Sequence, residues 1–244
     1  MTLFVTSSPY VDGADRAILS NANHFVDRIR AVLPPNPRVV FVCSNPYDHD
    51  GVSRFAAETC CAFLEAGIPF SSYQVLDGTN AGRAHAIISH SDMVILSGGH
   101  VPTQNAFFRK IRLRNLLHKY EGTVVGISAG SMNCAGEVYL QPEVPGESID
   151  PHYHRFGPGL GLTWVNICPH FQKVRHMMLD GKRLFEDITF HDSMGRCFFA
   201  LPDNSYFYQD DHSLLLCGQA WRIKNGILEL ITVDGEVLNM AELN

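Results

Sequence analysis

The sequence predicts an α/β protein built on a mainly parallel, doubly wound sheet that closes with a C-terminal β-meander. Three observations carry that expectation. Short β-rich runs alternate with helical patterns from Leu3 to Ile127, and such alternation requires right-handed crossovers between parallel strands. Arg38–Cys43 and Asp92–Leu96 are nearly continuous apolar runs, the pattern of strands covered on both faces. After residue 195 the pattern changes to short strands separated by turns.

The elements follow in order. Leu3–Thr6 reads as the first strand. Ala17–Leu33 has a helical period through Ile18, Leu19, Phe25, Val26, Ile29 and Val32, and Pro34-Pro35 stops it. The strand Arg38–Cys43 leads to a helix over Val52–Ala66, with Gly67 suited to the left-handed position past its end. Phe70–Leu76 is a strand, Ala84–His90 a short helix, and Asp92–Leu96 a buried strand. One helix is expected from about Thr103 to Tyr120, with Pro102 at its first position, before the strand Thr123–Ile127. The meander comprises Arg196–Leu201, Ser205–Tyr208, Ser213–Cys217, Trp221–Lys224 and Ile227–Val233, and Asn225-Gly226 signals a hairpin. These strands are expected to extend or edge the same sheet. No linker, low-complexity run or internal repeat divides the chain, so residues 1–244 are expected to form one domain.

Composition bounds the function. The 244 residues are 45% hydrophobic and 18% charged, which excludes intrinsic disorder. A chain of this length buries roughly 70% or more of its unfolded surface and needs no staples. The formal net charge of −6 argues against a broad nucleic-acid or anionic-membrane footprint. No apolar stretch approaches the ~20 residues of a membrane span, and the first residues lack the basic start of a signal peptide. Seven cysteines, an odd number with no C-x-x-C pair, point to reduced thiols and a cytoplasmic location.

Gly126-Ile127-Ser128-Ala129-Gly130 fits G-x-S-x-G and sits between a strand and a small-residue stretch, the strand–turn–helix context of a nucleophile elbow. In such a turn the serine oxygen is exposed at the carboxyl end of the sheet, and glycines on both sides admit the close approach of strand and helix. Ser97-Gly98-Gly99-His100 ends the preceding strand, so Gly98 and Gly99 bring bare N–H groups to the same edge. With the Ala129 N–H they would complete an oxyanion hole. Ser128 needs a base. His170 ends the apolar run Trp164–Phe171 and is therefore expected at a strand terminus. His152 and His154 form an H-x-H, but no third ligand of convincing spacing accompanies them, so no metal and no cofactor are expected. For the acid, Glu137, Glu143, Glu147 and Asp150 all lie between Ser128 and His170.

These residues resemble the serine peptidase family that contains peptidase E, an aspartyl dipeptidase, and cyanophycinase. The resemblance runs through Leu3–Tyr10, Gly98-Gly99, the elbow Gly126–Gly130, Gly159-Leu160-Gly161-Leu162, Pro169-His170-Phe171 and the closing meander. It implies a three-layer α/β/α sandwich like that of the class I glutamine amidotransferases, a flavodoxin-like arrangement. It also implies Ser128 as nucleophile, His170 as general base, and the amides of Gly98, Gly99 and Ala129 as oxyanion hole. Peptidase E has Asp fifteen residues after its serine, where this chain has Glu143; Glu143 is the first choice for the third member and Glu137 the second. The dipeptidase uses an arginine beyond the base to pair with an aspartyl side chain, which makes Arg175 and Arg183 the candidate substrate-binding residues.

The expected activity is hydrolysis of a peptide or isopeptide amide through a Ser-His-acid acyl-enzyme. The expected partner is a small peptide, with nucleic acid and membrane excluded and a homodimer left open beside a monomer. Two other readings stay open: an esterase of the α/β-hydrolase type, whose base would be His212, and a non-catalytic small-molecule binder of the same fold.

Overall fold

The computed structural model of the chain describes residues 1–243. At its centre lies an eight-stranded sheet. Five strands run parallel: β1 (Thr2–Thr6), β2 (Arg38–Val42), β3 (Ser72–Leu76), β4 (Met93–Leu96) and β5 (Thr123–Ile127), in the spatial order β1-β5-β4-β2-β3. Beyond β1 three antiparallel strands complete it: Tyr206–Gln209, Leu214–Cys217 and Val237–Asn239.

Because successive strand side chains point to opposite faces, each parallel strand feeds two cores. Phe4, Phe41, Ile95 and Val125 pack under α1 (Phe25–Val32) and α2 (His49–Glu65). Leu3, Val40, Val42, Val94, Leu96 and Val124 pack under α3 (Ala84–Ser89), α4 (Val101–Lys110) and α5 (Leu113–Leu117). The result is a helix–sheet–helix sandwich, and it accounts for the continuous apolar runs of β2 and β4. Each such side chain, fully buried, contributes about 1.5–3 kcal/mol against the entropy of ordering the chain. The ends of α2 are chemically marked: Asp48 accepts the Gly51 N–H at 3.0 Å, and Gly67 takes φ +76° past its last turn.

Three local expectations change. The helix expected over Ala17–Leu33 begins only at Phe25. Leu19 is instead buried by a bridge to Tyr10, and Asn23 ties the segment to Asn204 and Gly235. The helix expected over Thr103–Tyr120 is two. Arg112 takes φ 54° between α4 and α5, and the turn lets Leu113 and Leu117 share the core of Phe107 and Phe108.

The C-terminal strands do not all join the main sheet. Cys197–Ala200, Ala220–Lys224 and Ile227–Thr232 form a second sheet with Ile167–Cys168. The cause is again two-sided burial: Phe198 and Ala200 face a third core with Tyr139, Phe171 and Phe185, while Phe199 and Leu201 face the core under α4. A strand apolar on both faces has to lie between two cores. The Asn225-Gly226 turn has φ 52° and 77°, as a tight hairpin of matching twist requires.

Two sheet edges converge. The carboxyl ends of β1, β4 and β5 lead into Ser7, Ser97-Gly98 and Ser128. In the second sheet the parallel pair with register Ala200↔Cys168 sends Pro169-His170 and Pro202-Asp203 out side by side. Among the described residues no helix is long and apolar enough to cross a membrane, and all seven cysteines are free.

Candidate active site

Ser128 follows β5 at φ 51°, ψ −112°, a region that residues bearing a Cβ avoid at a cost on the order of 1–3 kcal/mol. The fold over-determines it. The Ser128 N–H donates to the carbonyls of Thr6 (3.1 Å) and Ser7 (3.0 Å), and its own carbonyl accepts the Met132 N–H at 3.0 Å. The flanking glycines are steric necessities. A Cβ on Gly126 would lie 2.8 Å from the Ser131 backbone, and one on Gly130 would lie 2.2 Å from the Leu96 carbonyl oxygen. The Ser131 Oγ clamps the crossover by donating to the Thr6 carbonyl at 2.8 Å.

Gly98 sits against the serine, its Cβ position being 3.6 Å from Ser128 Cβ. Gly99 takes φ +148°, and a side chain there would strike Ser44 Oγ at 2.3 Å. Among the described residues the amides of Gly98, Gly99 and Ala129 donate to no protein acceptor.

His170 arrives from the end of Ile167–Cys168 with φ 57°, its backbone N–H donating to Ser7 Oγ at 2.7 Å. Its Nε2 lies 2.8 Å from Ser128 Oγ, and its Nδ1 lies 2.7 Å from Asp203 Oδ1. Asp203, 3% exposed, also accepts the Ser7 hydroxyl at 3.0 Å and meets Lys173 Nζ at 2.7 Å, while its N–H donates to Gln172 Oε1 at 3.0 Å. Burial alone would raise the Asp203 carboxyl, but hydrogen bonds from His170, Lys173 and Ser7 and the charge of the imidazole pull it well below the usual carboxylate range. An ionised Asp203 accepts only. That sets the proton on Nδ1 and leaves Nε2 free to accept from the serine hydroxyl.

The other expected residues lie elsewhere. Glu143 does not contact the imidazole. Its N–H donates to Glu147 Oε2 at 2.8 Å and its carboxyl faces the Val101 N–H at the start of α4. Burial, and then the charge of Glu147, raise that carboxyl to about 7, with the Val101 N–H opposing. Glu147 in turn bonds His100 Nε2 at 2.9 Å. Glu137 pairs with Arg196 at 3.1 Å. Arg183 is held by Asp187 through its Nε, Nη2 and backbone N–H. Arg175 lies exposed over the Phe171 ring at 5.5 Å. His212 sits in a turn, its N–H donating to Asp210 at 2.9 Å, and His152 and His154 are exposed.

The carboxylate bonded to His170 is therefore that of Asp203, which follows the histidine in the chain. Its sequence signal is a parallel between two segments. Cys168-Pro169-His170 and Leu201-Pro202-Asp203 each end an apolar run with proline and then a polar group. Ser7, fully buried, is the second unforeseen member, bonding both His170 and Asp203.

A sequence model described as Peptidase family S51 matches residues 4–216, from β1 to the strand Leu214–Cys217, and takes in Ser128, His170 and Asp203. No curated protein sequence matches. Among solved structures, the chain superimposes on a 1.5 Å crystal structure from Listeria monocytogenes EGD-e described as a "Putative Peptidase E Protein". The TM-score is 0.59 at 13% identity, over 95% of this chain and 98% of that one, a likeness of fold.

Proposed function

The chain belongs to peptidase family S51 and is a serine peptidase, and from that premise we propose that Ser128 is its nucleophile, His170 its general base and Asp203 the third member of its triad. One observation carries the reading: the unbroken chain Ser128 Oγ–His170 Nε2 at 2.8 Å and His170 Nδ1–Asp203 Oδ1 at 2.7 Å, mounted on a strained elbow.

The chemistry follows from that chain. Ser128 Oγ attacks the amide carbonyl while His170 Nε2 takes its proton. Asp203 holds the imidazole tautomer and stabilises the imidazolium without becoming protonated. The oxyanion rests on the Ala129 amide and the Gly98-Gly99 segment, where one donor is worth roughly 3–4 kcal/mol. His170 then protonates the departing amine, and a water molecule, deprotonated by the same imidazole, hydrolyses the acyl-enzyme.

The substrate class is a short peptide or isopeptide, cleaved in the manner of a dipeptidase. The family and the fold shared with the Listeria protein support it. Arg175, with no carboxylate partner among the described residues, is the candidate for a substrate carboxylate, whereas Arg183 is already engaged by Asp187.

Ser128→Ala tests the assignment. The variant is expected to fold, to lose hydrolysis across a panel of Asp-X, β-linked Asp-Arg and unrelated dipeptides, and to lose labelling by a fluorophosphonate. Undiminished hydrolysis would overturn the nucleophile.

A further inference from the structure

We propose that Lys173 is a positioning residue for this triad, holding the Asp203 carboxylate in line with His170 and, with Asp12, setting the charge that the imidazole senses. The proposal rests on the reading of Ser128, His170 and Asp203 given above.

The geometry is a four-group relay. Asp203 Oδ1 is taken by His170 Nδ1 and the Ser7 hydroxyl, which leaves Oδ2 as the free end of a carboxylate that is 3% exposed. Lys173 Nζ occupies that end at 2.7 Å and reaches Asp12 Oδ1, also at 2.7 Å, on its far side. The Lys173 N–H donates to the His170 carbonyl at 2.8 Å, so one turn of chain fixes both the imidazole and the ammonium relative to the same carboxylate. With both oxygens bonded, the carboxylate cannot rotate away from Nδ1 as His170 takes and returns its proton. Hydrogen bonds to Asp12 and Asp203 push the Lys173 ammonium up, which keeps it charged through the neutral range.

The charge balance gives the consequence. A cavity of about 340 Å³ opens onto Lys173 and Asp203, and Asp12, Asp15 and Arg16 face it from the loop after β1, with Glu58 from α2. Arg16 is committed to Glu65, and Asp15 and Glu58 are exposed. On the segment that carries His170, the remaining charged or titratable groups, Arg175 and His176, are also exposed. Lys173 is therefore the cation that offsets Asp203 and Asp12 at the imidazole. Removing it leaves a net negative field, which stabilises the imidazolium and moves the acid limb of activity to higher pH. Lys173 is exposed, so the field it exerts on the imidazole is screened to a dielectric between that of a protein surface and bulk water, and the shift is about one pH unit.

The test measures kcat/KM of the full chain against pH on whichever dipeptide it cleaves. Lys173→Met is expected to raise the acid limb by about one unit, Lys173→Arg to restore it, and Asp12→Asn to lower it by a smaller amount. A lysine that merely supported the fold would change thermal stability without opposite displacements from Lys173 and Asp12. A second readout is independent of activity: the ring-proton titration of His170 by NMR in a Ser128→Ala background, assigned by its loss in His170→Gln, with Lys173→Gln as the alternative variant. A titration and an acid limb unmoved by Lys173→Met, or moved equally by Lys173→Arg, overturn the proposal. If Ser128→Ala is inactive and Lys173 has no effect, this proposal alone fails; if Ser128→Ala is fully active, the reading beneath it fails.

Discussion

Replacing Asp203 with asparagine keeps the side chain's shape and removes its charge. The carboxylate accepts from His170 Nδ1 at 2.7 Å, Ser7 Oγ at 3.0 Å and Lys173 Nζ at 2.7 Å. Because Lys173 Nζ only donates, the asparagine oxygen takes the Oδ2 end beside it, which turns the NH₂ toward Nδ1 and Ser7 Oγ and gives up the bond that Ser7 donates. The imidazole then carries its proton on Nε2, 2.8 Å from Ser128 Oγ, and has no lone pair to take the serine proton. Losing the correct tautomer in a serine triad lowers kcat about 10³–10⁴-fold, which at about 1.36 kcal/mol per tenfold is roughly 4–5.5 kcal/mol. Because Asp203 touches no substrate in the proposed mechanism, KM should change little. Steady-state kinetics on a cleaved dipeptide, with Glu143→Gln measured beside it, reads the difference. Glu143 does not bond the imidazole, so its variant should retain kcat within about threefold. Near-normal turnover in Asp203→Asn with collapse in Glu143→Gln would refute the argument. Stability supplies a second check. The folded Asp203 value lies well below that of an unfolded aspartate, so its ionisation stabilises the fold above about pH 4 and the contribution fades as pH falls toward the folded value. The Tm advantage of wild type over Asp203→Asn should therefore shrink on acidification.

Gly130→Ala puts a methyl group 2.2 Å from the Leu96 carbonyl oxygen, where only backbone movement relieves the contact. A loss of about 1–3 kcal/mol, read as roughly 3–10 °C in Tm, should accompany at least a tenfold fall in kcat as the elbow shifts; an unchanged Tm with full activity would sink the steric reading. Glu143→Gln should be stabilising at alkaline pH. The folded carboxyl titrates at about 7 and an unfolded glutamate at about 4.3, so wild-type stability declines as pH rises through that window while the variant does not. Chemical denaturation at pH 8 should favour the variant by on the order of 1–3 kcal/mol, discounted for partial exposure, with no difference at pH 4; equal curves at pH 8 would contradict the burial of that carboxyl.

Much of the molecule was legible because its causes are local. The apolar run of β2 states that both faces are covered. Gly126 and Gly130 announce a crossover too tight for side chains, and an apolar run ending at His170 announces a strand tip. The readings that changed depended on neighbours distant in the chain. Leu19 had the spacing of a helix and was claimed by a bridge to Tyr10. The run around Cys197–Ala200 was recognisable as a strand, but its membership of a second sheet followed from a core beneath it built by Tyr139, Phe171 and Phe185.

The residue order alone therefore specified the mainly parallel, doubly wound sheet, a serine flanked by glycines at a strand–helix turn, and a strand tip at His170, since periodicity, glycine spacing and the end of an apolar run each act over a few residues. Which carboxylate meets the imidazole was settled by folding. Of the four carboxylates between Ser128 and His170, three were nearer to the histidine in the chain and Glu137 was as far from it. The one at the imidazole lies thirty-three residues beyond it, because Ile167–Cys168 pairs in parallel with Cys197–Ala200 and the two strand tips leave together. Which strands become neighbours is decided by the simultaneous burial of all their faces, and no short window of sequence contains that information.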